Sequence, residues 1–74
     1  MNILNAYARR ATLSDDELER LLPALKDQLE RYRYFSRNYP RERMERYGVP
    51  YLAKLQGRVR EVEQIIAERA QRLP

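Results

Sequence analysis

From Val49 to Leu73 the apolar residues Leu52, Leu55, Val59, Val62, Ile66 and Leu73 follow one another in steps of three and four, with Arg69 at the one position where the series is interrupted. Steps of that size gather side chains into one stripe along an α-helix of about 3.6 residues per turn, and a seven-residue repeat favours pairing with another helix. Pro50 suits the first helical turn, where its missing N–H leaves no hydrogen bond unmade. A helix of this length with such a stripe needs apolar cover. The rest of the chain is therefore read as what supplies it.

A helix start stands at Thr12-Leu13-Ser14-Asp15-Asp16-Glu17-Leu18. Ser14 is placed to accept from the backbone N–H of Glu17, and Glu17 to reach back to the N–H of Ser14, with Leu13 and Leu18 as a hydrophobic staple. Asp15 and Asp16 favour the positive end of the helix dipole, so these carboxylates are capping residues first. Leu18, Leu21, Leu22, Leu25, Leu29 and Tyr32 then recur in the same steps. Pro23 removes one helical hydrogen bond and crowds the Glu19 carbonyl, but the apolar phase agrees on both sides, which predicts one kinked helix over 14–38, with a break at Leu22 and a new helix opened by Pro23 as the alternative.

Tyr39 precedes a proline and should end that helix. Pro40 opens a short helix over 40–47, with Met44 and Tyr47 packed inward, and Gly48 closes it in the left-handed conformation. A last helix spans 50–73. The two long helices come to roughly 35 Å each. Matched lengths and a short connection predict an antiparallel helical hairpin. Residues 1–11, with Ile3, Leu4, Tyr7, Ala8 and Ala11 on one side, are too few for an independent helix and are expected to dock on the hairpin. The fold class is all-α, one helical domain over 1–74. Because one short helix covers little, Leu25, Leu29, Leu55, Val59, Val62 and Ile66 are expected to meet a second copy or another protein, completing a bundle.

Seventy-four residues without cysteine or histidine lack disulfides, thiolate metal sites and the commonest general base. Thr12, Ser14 and Ser36 have no base beside them, and two glycines make no phosphate loop. No catalytic residue, cofactor, metal, small-molecule substrate or membrane partner is expected, and a cytoplasmic location is the default reading. The charge of +4 is unevenly placed: residues 31–46 hold six Arg against Glu42 and Glu45, whereas residues 1–30 are net acidic.

That basic stretch is interleaved with rings: Arg31, Tyr32, Arg33, Tyr34, Phe35, Arg37, Tyr39, Arg41, Arg43, Arg46, Tyr47 and Tyr51. Tyr and Arg dominate binding hot spots, and the same pair suits phosphates and unstacked bases. Packing offers a plainer use, with Tyr32, Phe35, Tyr47 and Tyr51 plugging the end of the hairpin. Arg31, Arg33, Tyr34, Arg37, Tyr39, Arg41, Arg43 and Arg46 are the candidate partner-binding residues, Tyr34 and Tyr39 because they fall off the apolar stripe. The expected function is protein binding by a small adaptor, chaperone or inhibitor of the kind phage and plasmid genomes encode. Nucleic-acid binding by the same patch is the alternative.

The segment Arg43-Met44-Glu45-Arg46-Tyr47-Gly48-Val49-Pro50 also resembles the turn of helix-turn-helix domains in transposase-related and pipsqueak-like DNA binders, over about fifteen residues. The resemblance implies a turn before Pro50 and a DNA-reading helix after it. Leu52 and Lys54 stand where that family has a small hydroxyl residue and a leucine, and the following helix carries a stripe that must be buried.

Overall fold

Helix α2, Asp15–Ser36, begins where the cap residues place it. In the computed structural model, which describes residues 2–72, Ser14 Oγ accepts from the Glu17 N–H at 3.2 Å and the Glu17 carboxylate accepts from the Ser14 N–H at 3.1 Å. The bond from the Ser14 backbone holds the Glu17 carboxyl below its ordinary pKa. A depressed folded pKa means that the cap contributes fully above the unfolded carboxylate range and is lost as pH falls through the folded value. Leu13 and Leu18 are both buried, as the staple requires.

α2 passes through Pro23 as one helix. Leu18, Leu21 and Leu25 lie on both sides of the proline and are at most 1% exposed. Burial of a continuous stripe thus holds the helix together past a missing hydrogen bond. The stripe does not stop at Tyr32. Its next member, four residues on, is Ser36, which is buried and donates through Oγ to the Arg33 carbonyl at 3.3 Å.

The second half of the chain differs from the sequence expectation. After Pro40 come α3, Arg41–Arg43, one π turn over Met44–Gly48, and α4, Val49–Gln71, with no break between them. Gly48 was expected to end a short helix in the left-handed conformation; its φ is −64° and ψ −55°, ordinary right-handed helix. The Val49 N–H reaches the Met44 carbonyl five residues back. In a regular helix the ring of Pro50 would crowd the carbonyl of Arg46, and a widened turn is a common way to relieve such crowding. Gly48 serves packing instead: it is buried, and the Met44 thioether lies where a Cβ would be. The connection between α2 and the next helix is thus only Arg37 to Pro40. Leu73, the last residue of the stripe, lies outside the described residues.

Contacts tie the start of α2 to the end of α4 and the end of α2 to the start of α4. Asp15 meets Arg69 at 3.0 Å, Lys26 meets Glu63 at 3.8 Å, and the rings of Tyr32 and Tyr51 stand 4.6 Å apart. α1, Ile3–Ala8, starts at Asn2, whose side chain accepts from the Asn5 N–H, and a 3₁₀ turn over Arg10–Thr12 carries the chain to α2. Six residues do not hold a helix alone. Ala6 is buried, and Ile3 and Tyr7 pack against the core. The Tyr7 hydroxyl donates to Glu61, and Arg10 Nε meets the same carboxylate at 3.0 Å. Burial, with the bond to Glu61, raises the Tyr7 pKa. That part of the docking is complete below the ordinary tyrosine range and weakens as pH climbs through the folded value.

These contacts already cover, within one chain, most of the residues expected to meet a second copy. Leu25, Leu29, Leu55, Val59 and Val62 are each at most 9% exposed within one chain, and Ile66 is half-buried against them. The long helices cover each other, and α1 with Leu13 covers much of the remainder. Little of that stripe is left to offer a second copy. Among the described residues no helix is long and apolar enough to cross a membrane.

Gly57 sits inside α4, and a Cβ built on it meets nothing within 4 Å. Alanine there removes the entropic cost of a helical glycine without crowding. Gly57→Ala is expected to raise stability by about 1 kcal/mol, read as a higher urea midpoint. An unchanged or lower midpoint would mean that the position is crowded in solution.

Candidate interaction site at the Arg and Tyr end

The eight candidate residues divide by what their side chains touch. Arg31 pairs with Asp27 at 2.9 Å, Arg33 with Glu30 at 2.7 Å, Arg41 with Glu45 at 3.1 Å and Arg46 with Glu42 at 3.7 Å. All four pairs join residues three or four apart on one helix, the spacing that brings side chains together. All are solvent-exposed, so each contributes little stability. Their effect is on charge: four of the six Arg in this stretch face a carboxylate of their own chain.

Arg37 and Arg43 are different. Among the described residues neither has a carboxylate partner; each lies over a ring instead, Arg37 at 4.6 Å from the centroid of Tyr34 and Arg43 at 4.5 Å from that of Tyr39. Stacking orients a guanidinium and leaves the donors on its edge free.

The two tyrosines chosen for falling off the stripe also part company. Tyr34 is 61% exposed. Tyr39 is half-buried, edge-on to Tyr32 at 6.2 Å. It fills the short connection together with Tyr32, whose hydroxyl is pushed up in pKa by burial and by its bond to Tyr39. Tyr39 is therefore part of the packed end rather than open surface. The packing role expected of Phe35 and Tyr47 fails in the opposite sense: they are 65% and 58% exposed, and Val49, two residues after Tyr47, is exposed as well. Tyr32 does plug the end, with Tyr51 against it.

Helix angle explains Phe35. The buried register runs Leu29, Tyr32, Ser36, so Phe35 sits one residue, about 100°, off the stripe. That signal was available once Ser36 was admitted as a stripe member. The exposure of Tyr47 and Val49 had no such signal, because both lie in or next to a π turn, whose five-residue spacing shifts the register that helical periodicity counts on.

Pro40, Glu42, Arg43, Arg46 and Tyr47 surround a shallow hollow open to solvent, and Glu30, Arg33, Tyr34 and Arg37 surround a second. A better enclosed hollow lies at the other end of the molecule, lined by Asp15, Glu19, Ile66, Arg69 and Ala70. Its one cation, Arg69, is already bonded to Asp15 and to the carbonyls of Leu13 and Ala11. With three of its five N–H donors spent on contacts of its own chain, Arg69 makes this hollow a seam between elements. The continuous helix from Arg41 to Gln71 also removes the turn before Pro50 that the resemblance to helix-turn-helix domains implied. Comparison with protein-family models, with characterised proteins and with solved structures finds no match to this chain.

Proposed function

We propose that this chain is a protein-binding module, a cytoplasmic adaptor, chaperone or inhibitor rather than an enzyme. Its antiparallel hairpin with α1 docked serves as a rod-shaped support. The observation that carries the reading is the exposure of Tyr34, Phe35 and Tyr47 at one end of a chain whose core residues are at most 9% exposed. Large rings left in water beside oriented Arg side chains are the composition of binding hot spots, where area is buried at low entropic cost. No ring is needed out there for stability, since the stripe already fills the interior.

Nucleic acid is the second reading, supported by Arg37 and Arg43 stacked on tyrosines and free of carboxylates. It is weakened by the four Arg already paired, because affinity for a phosphate backbone comes from neutralising it with unpaired cations. Submicromolar binding to random single- or double-stranded DNA at physiological ionic strength, falling log-linearly with salt, would select this reading.

Under the protein reading, Tyr34→Ala and Tyr47→Ala should each weaken a captured partner by about 2 kcal/mol while leaving helicity unchanged. The measurement is affinity capture from the source cells after nuclease treatment, followed by titration of the captured protein with the wild type and each variant. Capture that vanishes with nuclease, or that neither substitution affects, would overturn it.

A further inference from the structure

We propose that the site recognises an acidic segment of its protein partner, with one apolar side chain seated against Pro40 and Tyr47 and a neighbouring carboxylate held by Arg43. This rests on the protein-binding reading above and adds the chemistry of the partner.

The hollow at Pro40 and Tyr47 offers apolar walls with cations on its rim. Arg43 lies over the Tyr39 ring at 4.5 Å and has no carboxylate of its own chain among the described residues. Tyr39 is itself held edge-on to Tyr32, so the guanidinium stands on a packed platform and not on a loose ring. A guanidinium fixed in plane with its edge donors free matches the fork geometry of a carboxylate. Arg46, on the same rim, is engaged by Glu42 only at 3.7 Å, with both side chains more than 60% exposed. So loose a pair exchanges readily for a better-placed anion. Around the hollow Arg41, Arg43 and Arg46 stand against Glu42 and Glu45, which leaves one positive charge in excess.

The same features argue against a polyanion as occupant. Glu42 lies on the hollow's wall and Glu45 a turn away, and both would repel a continuous row of phosphates. A short peptide segment can set one carboxylate on Arg43 and turn a neutral residue toward Glu42. The apolar walls add a requirement that a bare polyanion does not meet.

The test is selection of a random peptide library displayed on phage against the full chain at physiological ionic strength, followed by titration of synthetic copies of the enriched peptides. Enriched peptides should carry Asp or Glu next to a large apolar residue. Changing that acid to its amide, or Arg43→Gln in the protein, should weaken binding about tenfold or more, the scale of one charge-assisted hydrogen bond. Tyr47→Ala should do the same with helicity unchanged. Enriched peptides that are apolar but not acidic, and sensitive to Tyr34→Ala or Tyr47→Ala, would overturn the acidic partner while leaving the protein-binding module standing. Acidic peptides indifferent to Arg43→Gln and Tyr47→Ala would overturn the site. No enrichment of any peptide would overturn both.

Discussion

Val62→Glu is expected to unfold the chain at every protein concentration. Val62 is fully buried in a core it shares with Leu18, Leu21, Leu25 and Leu55. The carboxylate would enter that core unpaired, since the buried neighbours are aliphatic. The substitution forfeits about 2 kcal/mol of apolar burial and adds a desolvation cost of several kcal/mol, or leaves a buried neutral acid without a partner. A chain of this size has roughly 4–11 kcal/mol of stability in total. The loss is therefore comparable with everything that holds the fold. Circular dichroism should show the helical signal collapsing in the variant at both low and high protein concentration. Were Val62 at a surface between copies, the variant would be a folded monomer and the wild type would lose stability on dilution. That pattern would sink the prediction and place an oligomer interface on this stripe.

The second large effect is expected at Arg69. Its guanidinium donates to the Leu13 carbonyl at 2.6 Å, to the Ala11 carbonyl at 3.2 Å and to Asp15 Oδ1 at 3.0 Å. One side chain of α4 thus pins the 3₁₀ turn that carries α1 and the N-terminal end of α2. Hydrogen bonds from a charged donor contribute about 1.5–3 kcal/mol each when the group is desolvated. Arg69 is partly exposed, at 29%, so the three together are discounted for solvent screening to about 2–3 kcal/mol. Arg69→Leu should lower the urea midpoint by that amount and speed amide exchange most in α1 and the turn after it. Arg69→Lys should recover little, because a single ammonium does not span acceptors on both edges of a planar fork. A midpoint unchanged in Arg69→Leu would show that apolar docking of Ala6 and Leu13 holds α1 without the clamp.

Arg69 also shows where sequence reading reached its limit. Its position on the α4 stripe was plain, as the one break in an apolar series, and a polar residue at a core register asks for a partner. The partners turned out to be backbone carbonyls more than fifty residues away. No local pattern names them. The same holds for Arg31, Arg33, Arg41 and Arg46. The basic block was visible, but whether each charge is free or paired depends on rotamers over a helical turn. The Arg/Tyr end was legible as a composition, and its division into a packed part (Tyr32, Tyr39) and an open part (Tyr34, Phe35, Tyr47, with Tyr51 exposed on the side away from Tyr32) was not.

What the chain's order of residues determined by itself is whatever depends on neighbours within a turn or two. The all-helical class, the Ser14 cap with Glu17, the stripes on both long helices and the continuity of α2 through Pro23 all follow from spacing and from local hydrogen bonding. Tertiary structure decided the rest. Whether the stripe residues face a second copy or their own chain depends on how completely α1 and Leu13 cover the paired helices, a matter of summed surface that periodicity does not count. Whether Gly48 turns the chain or lets it run on depended on the Met44 side chain packed across it and on the crowding of Pro50. A glycine is equally permissive of both backbones. Only the packing around it, made by residues brought together in three dimensions, selects one.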